Sequence, residues 1–292
     1  MKTSKKISTR LMHRFFKKFF PYSLFKYYLF FRTIKTFKKK INKEKQFIKF
    51  SSNLSKVNNH EFKITSQNNE DGIIEHIFKN IPNKKYFVEI GFGFYEFNTL
   101  NLIKNNWNGR LIDFNIDEVQ ALKTNLNFYY PNSLVEIINN KVNKNNIDEL
   151  VYFKNPTREI DFFSLDIDGN DYWVLKTMDL SNIKVICCEY NHWLGPDKKL
   201  SLKYDPNFNF VDNGIFGASL LAFTELLKDR GFSLIAVESS GTNAFFVKNK
   251  YASSFEVLSP IKNFISVGRF YNEEKKKQIF NIVRNSELIV EV

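Results

Sequence analysis

Residues Tyr86–Thr99 read YFVEIGFGFYEFNT. A strand-like apolar run carries an acid near its end, turns through two glycines one residue apart, and leads into a helix-compatible segment. Glycine lets a backbone approach a ligand closely, and the N–H groups of a following helix's first turn point at whatever sits there. This is the build of a nucleotide-cofactor loop, although two glycines after a strand also make an ordinary tight turn. A dinucleotide fingerprint G-x-G-x-x-G would need a third glycine at position 96, where this chain has Glu96. The pattern present is acidic-x-Gly-x-Gly, carried by Glu89, Gly91 and Gly93.

Outward from this loop, short apolar runs alternate with longer amphipathic stretches, as in a parallel sheet covered by helices on both faces. Strands are predicted near 86–90, 110–114, 134–138, 161–166, 184–189, 232–237 and 243–248, with helices over about 71–80, 97–106, 117–128, 172–178 and 217–230. Only Glu238–Thr242 (ESSGT) separates the last two strands. That is too short for a crossover between parallel strands, so they are expected to pair antiparallel. The expected class is α/β: a Rossmann-like, seven-stranded, mostly parallel sheet with an antiparallel last strand, occupying residues 61–251. Residues 252–292 then form a tail with a helix around Asn272 to Arg284.

Open parallel sheets bind ligands beyond the carboxyl ends of their strands, near the point where strand order reverses. The residues just after each strand are therefore the candidates. Asp113 follows the second strand, where an acid can accept both ribose hydroxyls. Asn139 and Asn140 follow the third and offer polar groups for an adenine edge. DIDGNDYW follows the fourth and packs Asp166, Asp168 and Asp171 into six residues. Asp171 also suits a helix N-cap, and Asp168-Gly169 a turn. Glu189, Asn191 and His192 follow the fifth. One carboxylate there could take the proton of a hydroxyl that attacks a methyl group. Alternatively Glu189, Asn191 and the aspartates could share a hard cation such as Mg²⁺. Asp168 is the leading base or metal ligand, supported by Glu189, Asn191 and His192. In the connection that follows, Trp193 and Tyr204 either stack on a sugar ring or anchor the loop.

The formal charge of +12 is unevenly placed. Residues 1–50 hold 16 Lys or Arg against the single acid Glu44, a net of +15, so residues 51–292 carry a net of −3. The basicity belongs to an N-terminal arm, residues 1–60, rather than to a nucleic-acid-binding core. Leu11, Phe15, Phe16, Phe19 and Phe20 recur at helical spacing beside Arg14, Lys17 and Lys18. Pro21 breaks the pattern, and a second aromatic segment runs from Leu24 to Phe37. Lys26 and Arg32 interrupt any run long enough to span a bilayer. Basic residues interleaved with Phe and Tyr suit the anionic face of a membrane, with docking to a partner as the alternative. The two cysteines, Cys187 and Cys188, are adjacent in an apolar run and would point to opposite faces of a strand as unpaired core residues. With no secretory signal pattern, the expected location is cytoplasmic, peripheral at the inner membrane face.

Several separated blocks also resemble a known group. SQNNEDGIIEHIF (66–78), VEIGFGFYEFNT (88–99), WNGRLIDFN (107–115), FFSLDIDGNDYWVLK (162–176), CCEYN (187–191), YDPNF (204–208), FGASL (216–220) and GTNAFFV (241–247) resemble FkbM-type methyltransferases. These lie within the class I S-adenosylmethionine-dependent methyltransferases. The resemblance implies that Glu89, Gly91, Gly93 and Asp113 hold the methionine and ribose parts of S-adenosylmethionine, with Asp166 nearby. It also implies O-methylation of a sugar or other hydroxyl-bearing substrate, such as a glycan or lipid-linked saccharide. The third glycine common in that motif would fall at position 95, where this chain has Tyr95, and crowding there would weaken cofactor binding. The rival readings are a non-catalytic module of the same fold, favoured by Tyr95, and an RNA methyltransferase, disfavoured by the acidic core.

Overall fold

The run YFVEI forms β1 (Tyr86–Ile90), the centre of a seven-stranded sheet. The computed structural model describes residues 22–46, 55–153, 155–266 and 271–292. The expected helix over residues 11–20 lies outside them. The other strands are β2 (Asn108–Asp113), β3 (Val135–Asn139), β4 (Ile160–Leu165), β5 (Ile183–Glu189), β7 (Phe232–Val237) and β8 (Asn243–Lys248). A short pair, β6 (Leu200–Leu202) and β9 (Ile289–Glu291), stands apart. The large sheet runs β3-β2-β1-β4-β5-β8-β7, and only β8 lies antiparallel to its neighbours β5 and β7. This is the α/β, Rossmann-like architecture expected, antiparallel hairpin included.

Central parallel strands are covered on both faces, so their sequences are predominantly apolar. IDFFSL of β4 is buried along its whole length. Alternation sends Phe163, Ile186 and Cys188 to one core, and Phe162, Val185 and Cys187 to the other. Both cysteines are buried and unpaired, as expected.

The helices are α1 (Tyr22–Ile41), α2 (Glu70–Asn80), α3 (Leu100–Lys104), α4 (Ile116–Tyr129), α5 (Ile147–Tyr152), α6 (Asp171–Thr177), α7 (Leu220–Asp229) and α8 (Glu273–Arg284). Three depart from the sequence reading for local reasons. The helix expected from residue 97 starts only at Leu100, because the Glu89 carboxylate takes the amides of Asn98 and Thr99. The helix expected from 217 starts at Leu220, where Ser219 Oγ accepts the Ala222 amide as N-cap. With only six residues, α5 is too short to show a helical period.

Residues expected as a separate arm enter the core. Phe37 is fully buried and stacks on Tyr129 at 5.7 Å, a burial that contributes about 2–3 kcal/mol. Lys104 Nζ donates to the Ile41 carbonyl at 2.6 Å. The tail is likewise built in: β9 pairs with β6, and Ile279 and Val283 of α8 pack with Trp193, Leu202, Ile215 and Phe216. Its role is to hold the 190–217 connection against the carboxyl edge of the sheet.

Candidate functional site

In the sheet order, β1 and β4 are neighbours, and the chain leaves them toward opposite sides. Beyond their carboxyl ends lies a cavity of about 700 Å³. Gly91 makes the closure of its floor possible. Its φ is +81°, and a Cβ there would stand 1.6 Å from the Asp166 carbonyl oxygen, so only glycine lets the loops after β1 and β4 touch. Gly93 differs: a Cβ would meet only the Glu96 carbonyl, at 3.4 Å, with open space otherwise. The protein does not require glycine at 93, and that vacant space belongs to the cavity.

The sequence-predicted residues separate into those that face this cavity and those that hold it together. Glu89 is 3 % exposed, and its oxygens accept from Asn98 N (2.9 Å), Thr99 N (2.9 Å) and Thr99 Oγ1 (2.6 Å). It lines the cavity but braces the loop first, and burial raises its pKa to about 7 against those three bonds. Asp113 lines the cavity and ties it to the glycine loop, accepting from Phe92 N at 3.0 Å and Asn115 N at 2.6 Å. Each of its oxygens keeps a second lone pair for a ligand. Asn139 does not read a ligand. Its amide donates to the Asp113 carbonyl at 3.0 Å, and Asn140, Lys141 and Val142 line the wall in its place.

Carboxylate oxygens of Asp166, Asp168 and Glu189 lie within 4.8 Å of one another, the one such acidic group among the described residues. No donor faces the buried Oδ1 of Asp166. Burial first, and then the neighbouring carboxylates, push Asp166 and Glu189 well above the usual carboxylate range. Two carboxyl groups in such contact coexist when a proton or a cation sits between them. Asp168 sits at φ +55°, a conformation that Asp tolerates at some cost and that recurs at functional sites. Partial withdrawal from bulk water inside the cavity, then the Asp171 and Asp113 charges, raise its carboxyl to about 6. Asp171 does not join this group; it accepts from Ile167 N (2.8 Å) and Gly169 N (2.9 Å) and shapes the turn into α6.

Two expected catalytic residues are corrected. Asn191 is fully buried. Its Nδ2 donates to the Gly214 and Phe216 carbonyls at 2.9 and 2.8 Å, and its Oδ1 accepts Trp193 N at 2.9 Å. Both its N–H donors and its Oδ1 fold the connection, and the side chain is outside the cavity lining. His192 packs against Trp193 outside the cavity lining, and burial lowers its pKa to about 4. Trp193 and Tyr204 are anchors: Trp193 meets Tyr271 and Phe280 of the tail, and Tyr204 meets Trp173.

The aromatic wall is made instead by Tyr95, Phe208 and Phe210, with Lys141, Asn170 and Asn209 between them. Tyr95 sits edge-on to Phe94 at 4.6 Å and lines the cavity without filling it. Residues 203–210 cross the opening as a strap. Lys141 Nζ holds the Pro206 carbonyl at 2.8 Å, Asn170 Nδ2 holds the Asp205 carbonyl at 2.8 Å, and the Phe208 ring lies over Gly169. The glycine loop is also tied to α1. Glu96 pairs with Lys40 Nζ at 2.6 Å and Lys63 Nζ at 3.2 Å. The lone signal for this in the sequence is the acid at 96.

No family model and no curated protein matches this chain. Solved structures similar to it include an S-adenosylmethionine-dependent methyltransferase from Clostridium acetobutylicum, at 10% identity over 61% of this chain and 90% of that one (TM-score 0.40). Another is magnesium protoporphyrin IX methyltransferase from Synechocystis with bound SAM, at 10% identity over 61% and 77% (TM-score 0.38). A third is the N-terminal domain of EvdMO1 with SAH bound, at 11% identity over 63% and 80% (TM-score 0.41).

Proposed function

We propose that this chain is an S-adenosylmethionine-dependent O-methyltransferase, of the FkbM type that its sequence blocks resemble, acting on a sugar hydroxyl of a glycan or lipid-linked saccharide. The observation that carries the reading is the cavity at the β1/β4 switch, where a space open at Gly93 and the Asp113 carboxylate stand beside a cluster of raised carboxyl groups. Gly91, Gly93 and Asp113 would hold the cofactor, with Glu89 fixing their loop. When bound, the cofactor supplies an electrophilic methyl group. The chain's own residues do the rest. Asp168, with a pKa of about 6, takes the proton of the acceptor hydroxyl as its oxygen attacks. Asp166 and Glu189 hold a proton between them; as hard oxygen donors they, with Asp168, would also suit a divalent cation such as Mg²⁺, which would supply Lewis-acid lowering of a hydroxyl's pKa. Tyr95, Phe208 and Phe210 offer apolar faces for a sugar ring, and Asn170, Asn209 and Lys141 offer hydrogen bonds to its hydroxyls.

The arm extends this reading to a membrane. Lys38, Lys39 and Lys43 are exposed at the end of α1 and beyond it, Phe31 is 65 % exposed, and among the described residues no helix is long and apolar enough to cross a bilayer. We propose that the arm lies peripherally on an anionic inner membrane face. Titration calorimetry with S-adenosylmethionine tests the central claim: wild-type chain binds, and Asp113→Ala binds at least tenfold more weakly. Absence of binding by folded wild type would overturn it. Co-sedimentation with anionic vesicles tests the tether: Lys38→Gln/Lys39→Gln/Lys43→Gln should partition more weakly than the wild type, and equal partition would overturn it.

A further inference from the structure

At the amino edge of the sheet, opposite the cavity, lies a second cleft of about 480 Å³. Its floor is an ion network. Lys184 is 4 % exposed and pairs with Asp161 at 2.8 Å and Glu159 at 2.9 Å, and Lys84 pairs with Glu159 at 2.9 Å. These four charges cancel. Three more cations line the cleft: Arg158, Lys248 and Lys250. None of the three has a carboxylate partner among the described residues. Arg158 lies 4.4 Å above Tyr86 and Lys250 4.8 Å from Tyr251, while Lys248, 5.9 Å from Phe232, donates to the Ser181 carbonyl, a neutral partner. An aromatic face attracts a cation without neutralising it. Burial and the neighbouring Lys250 charge also hold Lys248 below the usual lysine range.

We propose that this cleft is a binding site for a phosphate-bearing ligand. Three cations gathered around one concavity repel one another, as Lys250 does Lys248, and a multivalent anion relieves that repulsion. The guanidinium of Arg158 matches the paired oxygens of a phosphate, and Lys248 and Lys250 act as point charges beside it. Asn182 Nδ2, which gives one N–H to the Pro156 carbonyl, keeps a second for the remainder of the ligand. The volume suits a small phosphate ester or a lipid headgroup rather than a bare ion. The site is built by the starts of β4 and β5 and the end of β8, so it does not depend on the reading of the cavity at the other edge.

The probe is inorganic pyrophosphate added to the full-length chain, with sodium chloride at matched ionic strength as reference. The wild type should bind pyrophosphate with a 1:1 stoichiometry and unfold several degrees higher in its presence. Arg158→Gln/Lys250→Gln should bind at least tenfold more weakly while keeping its affinity for S-adenosylmethionine, and Lys262→Gln, outside the cleft, should match the wild type. Partition onto phosphatidylglycerol vesicles then separates the sources. A matching loss in the double variant identifies a lipid headgroup, and unchanged partition identifies a soluble phosphate ester. Equal responses to pyrophosphate and chloride, equal pyrophosphate binding by the double variant, or a loss confined to RNA oligomers would overturn the proposal.

Discussion

Glu96 carries two ammonium groups, and removing it should cost more than removing either of them. The side chains of Lys40 and Lys63 are 6 % and 11 % exposed, whereas that of Glu96 is 33 % exposed. At an effective dielectric near 20, charges 2.6 and 3.2 Å apart attract by about 5 to 6 kcal/mol each, most of which offsets the desolvation of the lysines. Glu96→Gln leaves both ammonium groups facing each other in a buried site, with Lys40 keeping only a 3.4 Å contact to the Ser66 carbonyl. Breaking a buried pair this way costs about 3–5 kcal/mol. Lys40→Met leaves Glu96 on Lys63 and partly in water, and should cost about 1–2 kcal/mol. Urea unfolding followed by tryptophan fluorescence measures both, and the double variant should cost less than the sum of the two because they share a partner. Glu96→Gln should also loosen the glycine loop and weaken S-adenosylmethionine binding in calorimetry. If Lys40→Met proves as costly as Glu96→Gln, or the two are additive, Glu96 does not bind both lysines and α1 is not fastened to the loop.

The two glycines should behave differently. Gly91→Ala should lose about 3 kcal/mol or more through the positive φ and the clash with Asp166, whereas Gly93→Ala should keep wild-type stability within about 0.5 kcal/mol and lose cofactor affinity at least tenfold, both read by urea unfolding and calorimetry. Glu238 is buried, and desolvation followed by the Glu70 charge raises its pKa to about 8. The folded chain then binds a proton that the unfolded chain releases near 4.5, so stability should fall as pH rises from about 4.5 through 8. Glu238→Gln should remove that loss and be the more stable protein at pH 9 by a few kcal/mol, with little difference at pH 4.5, in thermal melts across pH. The Asp168 carboxyl should titrate near pH 6 by carbon NMR, assigned by its absence in Asp168→Asn, and a value near 4 would mean that the cavity leaves it in bulk water.

What was legible in the sequence was what is encoded locally. The strand and glycine turn at 86–93 and the short link Glu238–Thr242 depend on neighbours in the chain and form as read, whereas the helix after the turn starts at Leu100 rather than 97. Asp113, Asp166 and Asp168 were found because a parallel strand delivers its next residues to one edge. The same rule misplaced Asn191 and His192. It says where a strand ends, but the chain after β5 folds back at once, and Asn191 is spent on carbonyls 23 and 25 residues ahead. Glu89 shows a second limit: an acid at the end of β1 serves the backbone of its own loop as readily as a ligand.

The two halves of the cavity are therefore set by different physics. The glycine half is built within residues 86–113 and can be read from them. The opposite half is the 203–210 strap, positioned by Lys141, Asn170, α8 and β9, all remote from it in sequence. The shape of that half is encoded in those long-range contacts, which no local pattern carries. Glu96 joins these scales. As a side chain where a dinucleotide loop needs glycine, it excludes one cofactor by local geometry, and as the partner of Lys40 and Lys63 it fastens α1 to the loop that the other cofactor would occupy. Phe37 on Tyr129 and Lys104 on the Ile41 carbonyl seat the same helix on the core, so the Lys40–Glu96 ion pair adds its contact to the glycine loop to a helix already packed.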